Sequence, residues 1–178
     1  MTITPDGKDW TWVLGERCPE CGFDARSVPA ASVAARVRAT VPLWRAALAA
    51  PDVANRPGPD TWSPLEYACH VRDVPRLYTY RLGLMLEQDD PLFPNWDQDV
   101  SAVEERYDLQ DPGSVADELA AAAEAMAAAY DAVGDRWGRT GRRSDDKEFT
   151  VDTFARYYLH DIEHHVWDVT GRPSGSWL

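Results

Sequence analysis

The sequence has 178 residues, of which 44% are hydrophobic and 27% charged, and its formal net charge is −12. This length and composition are those of an ordinary globular protein with one hydrophobic core. The acidic balance argues against nucleic acid or an anionic membrane as a partner, because the phosphates of either would repel such a surface.

Signals for membrane insertion or secretion are missing from the sequence. No apolar run approaches the roughly 20 residues of a membrane span. Residues 1–6 lack the basic start and apolar centre of a signal peptide. Three cysteines are too few for the disulfide framework of a small secreted protein. The expected location is the cytoplasm.

The N-terminal segment, residues 1–28, is expected to be an irregular extension ahead of a helical domain over residues 29–178. Prolines and glycines recur in this extension and interrupt any hydrophobic period. It contains a CxxC motif, and Trp10 and Trp12 just before that motif are expected to pack the extension against the rest of the protein.

Four long helices are predicted, because apolar residues recur every three to four positions in four segments. The second helix has the clearest start: Ser63 can cap it, Pro64 suits its first position, and Glu66 completes a capping box. The expected bounds are 29–50, 63–87, 114–133 and 150–169, with a short helix over 97–107 and a polar turn over 134–144. No strand is predicted, so the expected fold is all-α, a four-helix bundle.

Three of the four histidines lie close together in the last predicted helix. His160 and His164 are four residues apart and therefore share one helical face, whereas Asp161 and His165 turn elsewhere, with His165 expected at the rim. His70 lies on the core-facing side of the second helix. Three imidazoles from two core-facing helices suit Zn²⁺, Ni²⁺, Fe²⁺ or Mn²⁺. The alternative is that they are hydrogen-bonded core residues, because HxxxH pairs often arise by chance.

Two motifs resemble those of the DinB/YfiT-like superfamily over about residues 30–170. Residues 61–74, TWSPLEYACHVRDV, are similar to its second-helix signature, in which W-S-x-x-E leads to a histidine followed closely by an aspartate. Residues 160–164, HDIEH, resemble its closing HxxxH helix. The resemblance implies an up-down-down-up four-helix bundle, often a homodimer, with a divalent metal on three histidines. The metal ligands carried over to this sequence are His70, His160 and His164.

The resemblance also implies an activity. The superfamily includes the N-terminal domains of mycothiol-dependent maleylpyruvate isomerases, and bacillithiol transferases. We therefore expect a metal-dependent enzyme that acts on a small molecule, either thiol S-transferase-like or hydrolase-like. Zinc or nickel is the first candidate for the metal, iron or manganese the second, and a low-molecular-weight thiol is a candidate cosubstrate. The alternative is a non-catalytic metal- or ligand-binding stress-response protein.

Two acidic residues near His70 are candidates for supporting or catalytic roles. Glu66 lies one turn before His70 and Asp73 nearly one turn after it, so either could orient a ligand or act as a base. Both also have a structural explanation, which is the capping box for Glu66 and an ion pair with Arg76 for Asp73.

The cysteines leave several interpretations open. Cys18 and Cys21 have the spacing of half a zinc site or of a redox pair. A structural zinc needs four ligands, and the sequence has no second CxxC; Cys69 could be a third ligand, but it lies in the second helix. A thioredoxin-like role would need a βαβ context, which is missing. We interpret the pair as reduced or reversibly oxidised thiols in a structural segment, with zinc as the alternative, and Cys69 as a small buried residue.

Overall fold

The computed structural model describes residues 9–178, so the start of the N-terminal extension lies outside the described residues. Five α-helices form most of this part of the chain. They are α1 (Val33–Leu48), α2 (Pro64–Glu87), α3 (Gln98–Glu104), α4 (Pro112–Asp131) and α5 (Val151–Thr170). The short α3 lies within the long connection from α2 to α4, where a short helix was expected.

The four long helices pack into a bundle, which confirms the predicted fold. Helices α1 and α2 both pack against α4 and both pack against α5, so these two pairs alternate around one core. Among the described residues, no helix is both long enough and apolar enough to cross a lipid bilayer.

Capping boxes start both helices that carry histidines. The Ser63 side chain accepts from the backbone amide of Glu66, and the Glu66 carboxylate accepts from the amide of Ser63, as the sequence predicted. Thr150 and Thr153 form the same reciprocal pair at the start of α5. Helix α5 ends at Gly171, whose φ of 68° lies in the left-handed region that glycine adopts without strain.

Two predicted helix starts were wrong. Helix α4 starts before the expected Ser114, because Asp111 caps it by accepting from the Ser114 amide and Pro112 takes its first position. Helix α1 begins at Val33, later than expected, and continues through Pro42.

The prediction that the chain has no strands was also wrong. Thr140–Arg142 (β1) and Glu148–Thr150 (β2) form an antiparallel hairpin that overlaps the expected turn and leads directly into α5. Strands of three residues are too short to show an alternating pattern in the sequence. The pairing of Gly141 with Phe149 places the buried Phe149 side chain in the core.

The described part of the N-terminal extension, residues 9–28, has only short 3₁₀ turns between irregular stretches, as expected. Most of its buried side chains nevertheless belong to the same hydrophobic cluster as the helices, so this segment is integral to the core. The proposed domain division stays a prediction. The extension contributes Cys18, Cys21, Phe23, Ala25 and Val28 to that cluster, with Trp12 packed against it.

Replacement of Gly141 by alanine should destabilise the fold, because a Cβ there would lie 2.6 Å from Phe93 Cζ and 2.8 Å from Met85 Cγ. We expect Gly141→Ala to lower the free energy of unfolding by about 1–3 kcal/mol, measured by urea denaturation. Gly138→Ala is the control, since nothing lies within 4 Å of a Cβ at that position. Equal stability of the two variants would contradict the close packing of β1.

Candidate metal centre

Helix α5 carries two pairs of candidate metal ligands, each spaced by four residues. His160 and His164 form one pair, and Asp161 and His165 form the other. Members of a pair stack on one helical face, and successive residues of a helix are about 100° apart around its axis. The two pairs therefore face different neighbours, and each joins a separate group of possible ligands.

The first group consists of His70 from α2 with Asp161 and His165 from α5. One ligand atom from each residue lies within 4.8 Å of the other two. The Nε2 atom of His70 lies 3.3 Å from Asp161 Oδ1, and the Nε2 atom of His165 lies 3.4 Å from the same oxygen. Two imidazoles and one carboxylate thus converge between two helices of the bundle.

The surroundings prepare these three side chains for a cation. Burial raises the pKa of Asp161, but the hydrogen bond and charge interaction with His70 and the nearby His165 outweigh it and lower the pKa to about 2, so this carboxylate is ionised at neutral pH. On the far side of the His165 ring, Nδ1 lies 2.8 Å from Asp168 Oδ2, which fixes the orientation of the ring. The Nδ1 atom of His70 is buried and has no hydrogen-bond partner among the described residues.

A cleft of about 570 Å³ opens over this group. The Asp161 and His165 side chains line it and are 28% and 20% exposed, whereas His70 lies beneath them and is only 1% exposed. Aromatic rings pack around the histidines, with Trp62 and Trp96 against His70 and Tyr67 against His165. Further acidic side chains line the cleft, namely Glu20, Asp60, Asp97, Asp99 and Asp168.

The second group consists of Cys18 and Cys21 from the N-terminal extension with His160 and His164 from α5. All four are buried, and one ligand atom from each lies within 4.8 Å of the others. The Cys18 Sγ atom lies 3.7 Å from His164 Nδ1. The CxxC motif is thus directly opposite the HxxxH pair.

The predicted ligands His70, His160 and His164 are divided between these two groups, so within residues 9–178 the structure does not gather them at one point. The reason is the helical period, because the face of α5 that meets α2 carries Asp161 and His165. The three-histidine set stays a prediction. The convergence of Asp161 and His165 with His70 was not predicted, although the spacing of four residues between Asp161 and His165 was a visible signal.

The predicted supporting residues are tied into structural contacts. Glu66 binds Arg56 in addition to its capping role, and it belongs to neither ligand group. The Asp73 carboxylate accepts from Arg72, from Arg76 and, at 2.5 Å, from the hydroxyl of Tyr107. These contacts agree with the structural explanation of both residues.

Cys69 is a buried thiol outside both groups, in agreement with the prediction. Its Sγ atom lies 3.9 Å from the Tyr107 carbonyl oxygen, and burial raises the pKa of the thiol to about 12. A thiol in this state is neutral and unreactive at neutral pH.

Removal of the Asp73 charge should lower the stability of the folded protein but leave its metal content unchanged, because Asp73 belongs to neither ligand group. Asp73 is the nearest carboxylate to the guanidinium of the buried Arg72, so we expect Asp73→Asn to lower the free energy of unfolding by about 3 kcal/mol at pH 7. Burial raises the pKa of Asp73, but the hydrogen bonds from Arg72 and Tyr107 outweigh it and the pKa is lowered overall.

The corresponding stabilisation is present above the unfolded-state pKa of about 3.9 and is lost as the pH falls through the lower folded-state value. Urea denaturation from pH 7 to pH 2 should therefore show the difference between wild type and Asp73→Asn shrinking below about pH 4. A variant that keeps full stability but loses metal would instead favour a role for Asp73 at the metal.

Comparisons with known proteins agree with this architecture. A family model described as the DinB superfamily matches residues 51–169. A solved structure described as YfiT from Bacillus subtilis, "a probable metal-dependent hydrolase with an unusual four-helix bundle topology", superposes with a TM-score of 0.74 at 15% identity. That match covers 82% of this chain and 87% of the other. A comparison with curated protein sequences found no match. Because the family model spans most of the sequence, the chain belongs to the DinB superfamily.

Proposed function

We propose that His70, Asp161 and His165 hold a divalent metal and that the protein is a metal-dependent enzyme acting on a small molecule in the cleft above them. The observation that carries the proposal is the convergence of three ligand atoms at the floor of an open cleft. Three protein ligands with further positions open to a cleft are typical of catalytic metals, whereas structural sites are closed.

The chemistry of the three donors fits such a metal. Two imidazoles and an ionised carboxylate suit Zn²⁺, and also Ni²⁺, Fe²⁺ or Mn²⁺. The Nε2 atoms of His70 and His165 lie 3.3 and 3.4 Å from Asp161 Oδ1. A cation among these donors would satisfy the Asp161 carboxylate better than the one long hydrogen bond with His70. When bound there, a divalent metal supplies a Lewis acid that polarises a substrate or acidifies a nucleophile.

The chain's own residues provide orientation and exclude water. Asp168 accepts a hydrogen bond from Nδ1 of His165, which directs Nε2 towards Asp161. The ring of Trp96 stacks on His70 at a centroid distance of 5.7 Å, and Trp62 lies 5.5 Å away from the same ring. These rings cover His70, so a substrate approaches from the side of Asp161 and His165.

The cleft also limits the substrate class. Its acidic side chains disfavour strongly anionic molecules, whereas its tryptophan and tyrosine rings favour flat or apolar groups. We therefore propose a neutral or cationic small molecule. Hydrolysis is the first reaction to test, because the YfiT structure is described as a probable metal-dependent hydrolase; transfer of a low-molecular-weight thiol is the second.

Metal analysis of purified variants tests the ligand set. We expect His70→Ala, Asp161→Ala and His165→Ala each to lose the metal of the open site, while Asp152→Asn, a change in the first turn of the same helix, keeps it. If Asp161→Ala and His165→Ala retain all metal, the assignment is wrong and the three-histidine set is favoured.

Activity assays test the enzymatic role. Metal-loaded wild-type protein is assayed with neutral esters and amides, and with thiols plus electrophiles. If the wild-type protein turns over none of these substrates, an enzymatic role is contradicted. If wild type and His165→Ala turn a substrate over equally fast, a catalytic role of this metal site is contradicted.

The hydrogen bond to His165 gives a separate quantitative prediction. Asp168→Asn should weaken metal affinity by about 10–100-fold, because the amide no longer offers a charged acceptor to the ligand ring. Competition with a chelator measures the affinity, and Asp152→Asn again serves as the control. An unchanged affinity would show that Asp168 does not support the ligand.

A further inference from the structure

We propose that Cys18, Cys21, His160 and His164 form a second metal site, a closed tetrahedral zinc centre that fastens the N-terminal extension to α5. Its ligands are different from those of the proposed open site, because it shares none with His70, Asp161 and His165, although His160 and His164 also line the cleft. Two thiolates and two imidazoles are a common donor set of structural zinc.

The separation of the donors matches a tetrahedral zinc ion. Zn–S bonds of about 2.3 Å and Zn–N bonds of about 2.0–2.1 Å, at tetrahedral angles, place sulfur and nitrogen about 3.6 Å apart. The observed separation of Cys18 Sγ and His164 Nδ1 is 3.7 Å. All four donor residues are buried, with exposed fractions from 0% for Cys21 to 8% for His164. His160 and His164 also line the cleft, but four protein ligands would leave no coordination position of the metal open to a substrate.

The backbone around the cysteines is shaped to present both sulfurs to one point. The Cys18 amide donates to the Phe23 carbonyl at 2.8 Å, and the Gly22 amide donates to the Cys18 carbonyl at 3.0 Å. The turn passes through Gly22 at a φ of 79°, a conformation that a larger residue would adopt only with strain. A backbone hydrogen bond from Phe23 also reaches the Cys21 side chain, as suits a sulfur that carries negative charge.

The histidines are similarly prepared. The Nε2 atom of His160 is buried without a hydrogen-bond partner among the described residues, although its ring is enclosed by Trp10 and Phe23. A buried nitrogen without a partner costs free energy that a metal bond would recover. His164 directs Nδ1 at Cys18 and has Nε2 3.3 Å from Glu20 Oε2, the carboxylate–histidine arrangement that orients metal ligands.

A redox role explains the same cysteines less well. Reactive CxxC thiols are partly exposed and have a depressed pKa. Here both thiols are buried. A redox pair also leaves the convergence of His160 and His164 on the thiols unexplained. Zinc accounts for all four residues, because it replaces the thiol protons and keeps the sulfurs as thiolates.

Cobalt substitution tests the site directly. Full-length protein produced with Co²⁺ under reducing conditions should show thiolate-to-cobalt charge-transfer absorption and intense tetrahedral d–d bands. X-ray absorption of the zinc form should show sulfur neighbours at about 2.3 Å. Both signals should persist in His70→Ala and His165→Ala, because these residues belong only to the proposed open site. The test of the zinc centre is therefore independent of the proposed catalytic function. Wild-type protein with metal but without these sulfur signals would overturn the inference.

Variants of the ligands give a second readout. We expect Cys21→Ser to lose one zinc equivalent per chain and to lower Tm by at least about 10 °C, with His164→Ala behaving similarly. Cys69→Ala is the matched control, because Cys69 is equally buried but outside both groups, and it should keep the full zinc content. If Cys21→Ser does not fold, the cobalt and X-ray absorption spectra of the wild-type protein still show whether sulfur binds the metal. Unchanged zinc content in a folded Cys21→Ser protein would contradict the site.

Discussion

The period of a single helix is the constraint on which the candidate chemistry depends. Residues four apart in α5 stack on one face, and the next residue along is displaced by about 100°. His160 and His164 therefore face the N-terminal extension, while Asp161 and His165 face α2. A straight helix cannot direct all four side chains at one ion. The chain instead supplies separate partners for each face, Cys18 and Cys21 for one and His70 for the other.

A buried ion pair holds this helix in place. Glu163 is 0% exposed and receives two hydrogen bonds from Arg36 of α1, at 2.8 and 2.7 Å. The Arg36 guanidinium also lies over the Phe23 ring, next to the CxxC turn, and Ser174 beyond α5 donates to the same carboxylate. Such a pair adds little stability relative to apolar packing, but loss of either partner would leave a charge uncompensated. The evident consequence of the ion pair is positional, because it fixes where α5 lies along α1 and along the N-terminal extension.

The four-helix bundle could be predicted from the sequence, but the division of the candidate metal ligands into two groups could not. Hydrophobic period and the Ser63 capping box predicted the helices, because these signals are local. Whether His70 meets His160 or Asp161 depends on how α5 is rotated about its own axis relative to α2. Tertiary packing sets this rotation, and no local sequence pattern predicts it. The same holds for Cys18 and Cys21: only the fold brings the distant histidines opposite them.

Charge explains how two metal sites can share one helix. On the proposed assignments, two thiolates neutralise the ion held by Cys18 and Cys21, whereas Asp161 leaves a net positive charge in the open site. The rings of His164 and His165 are only 6.0 Å apart, so two uncompensated cations there would repel each other. With the closed site neutral, that repulsion is small and the open site keeps its Lewis acidity. Asp168 reinforces this arrangement, since its carboxylate lies 2.8 Å from His165 and 3.8 Å from His164 and so places a negative charge between the two sites.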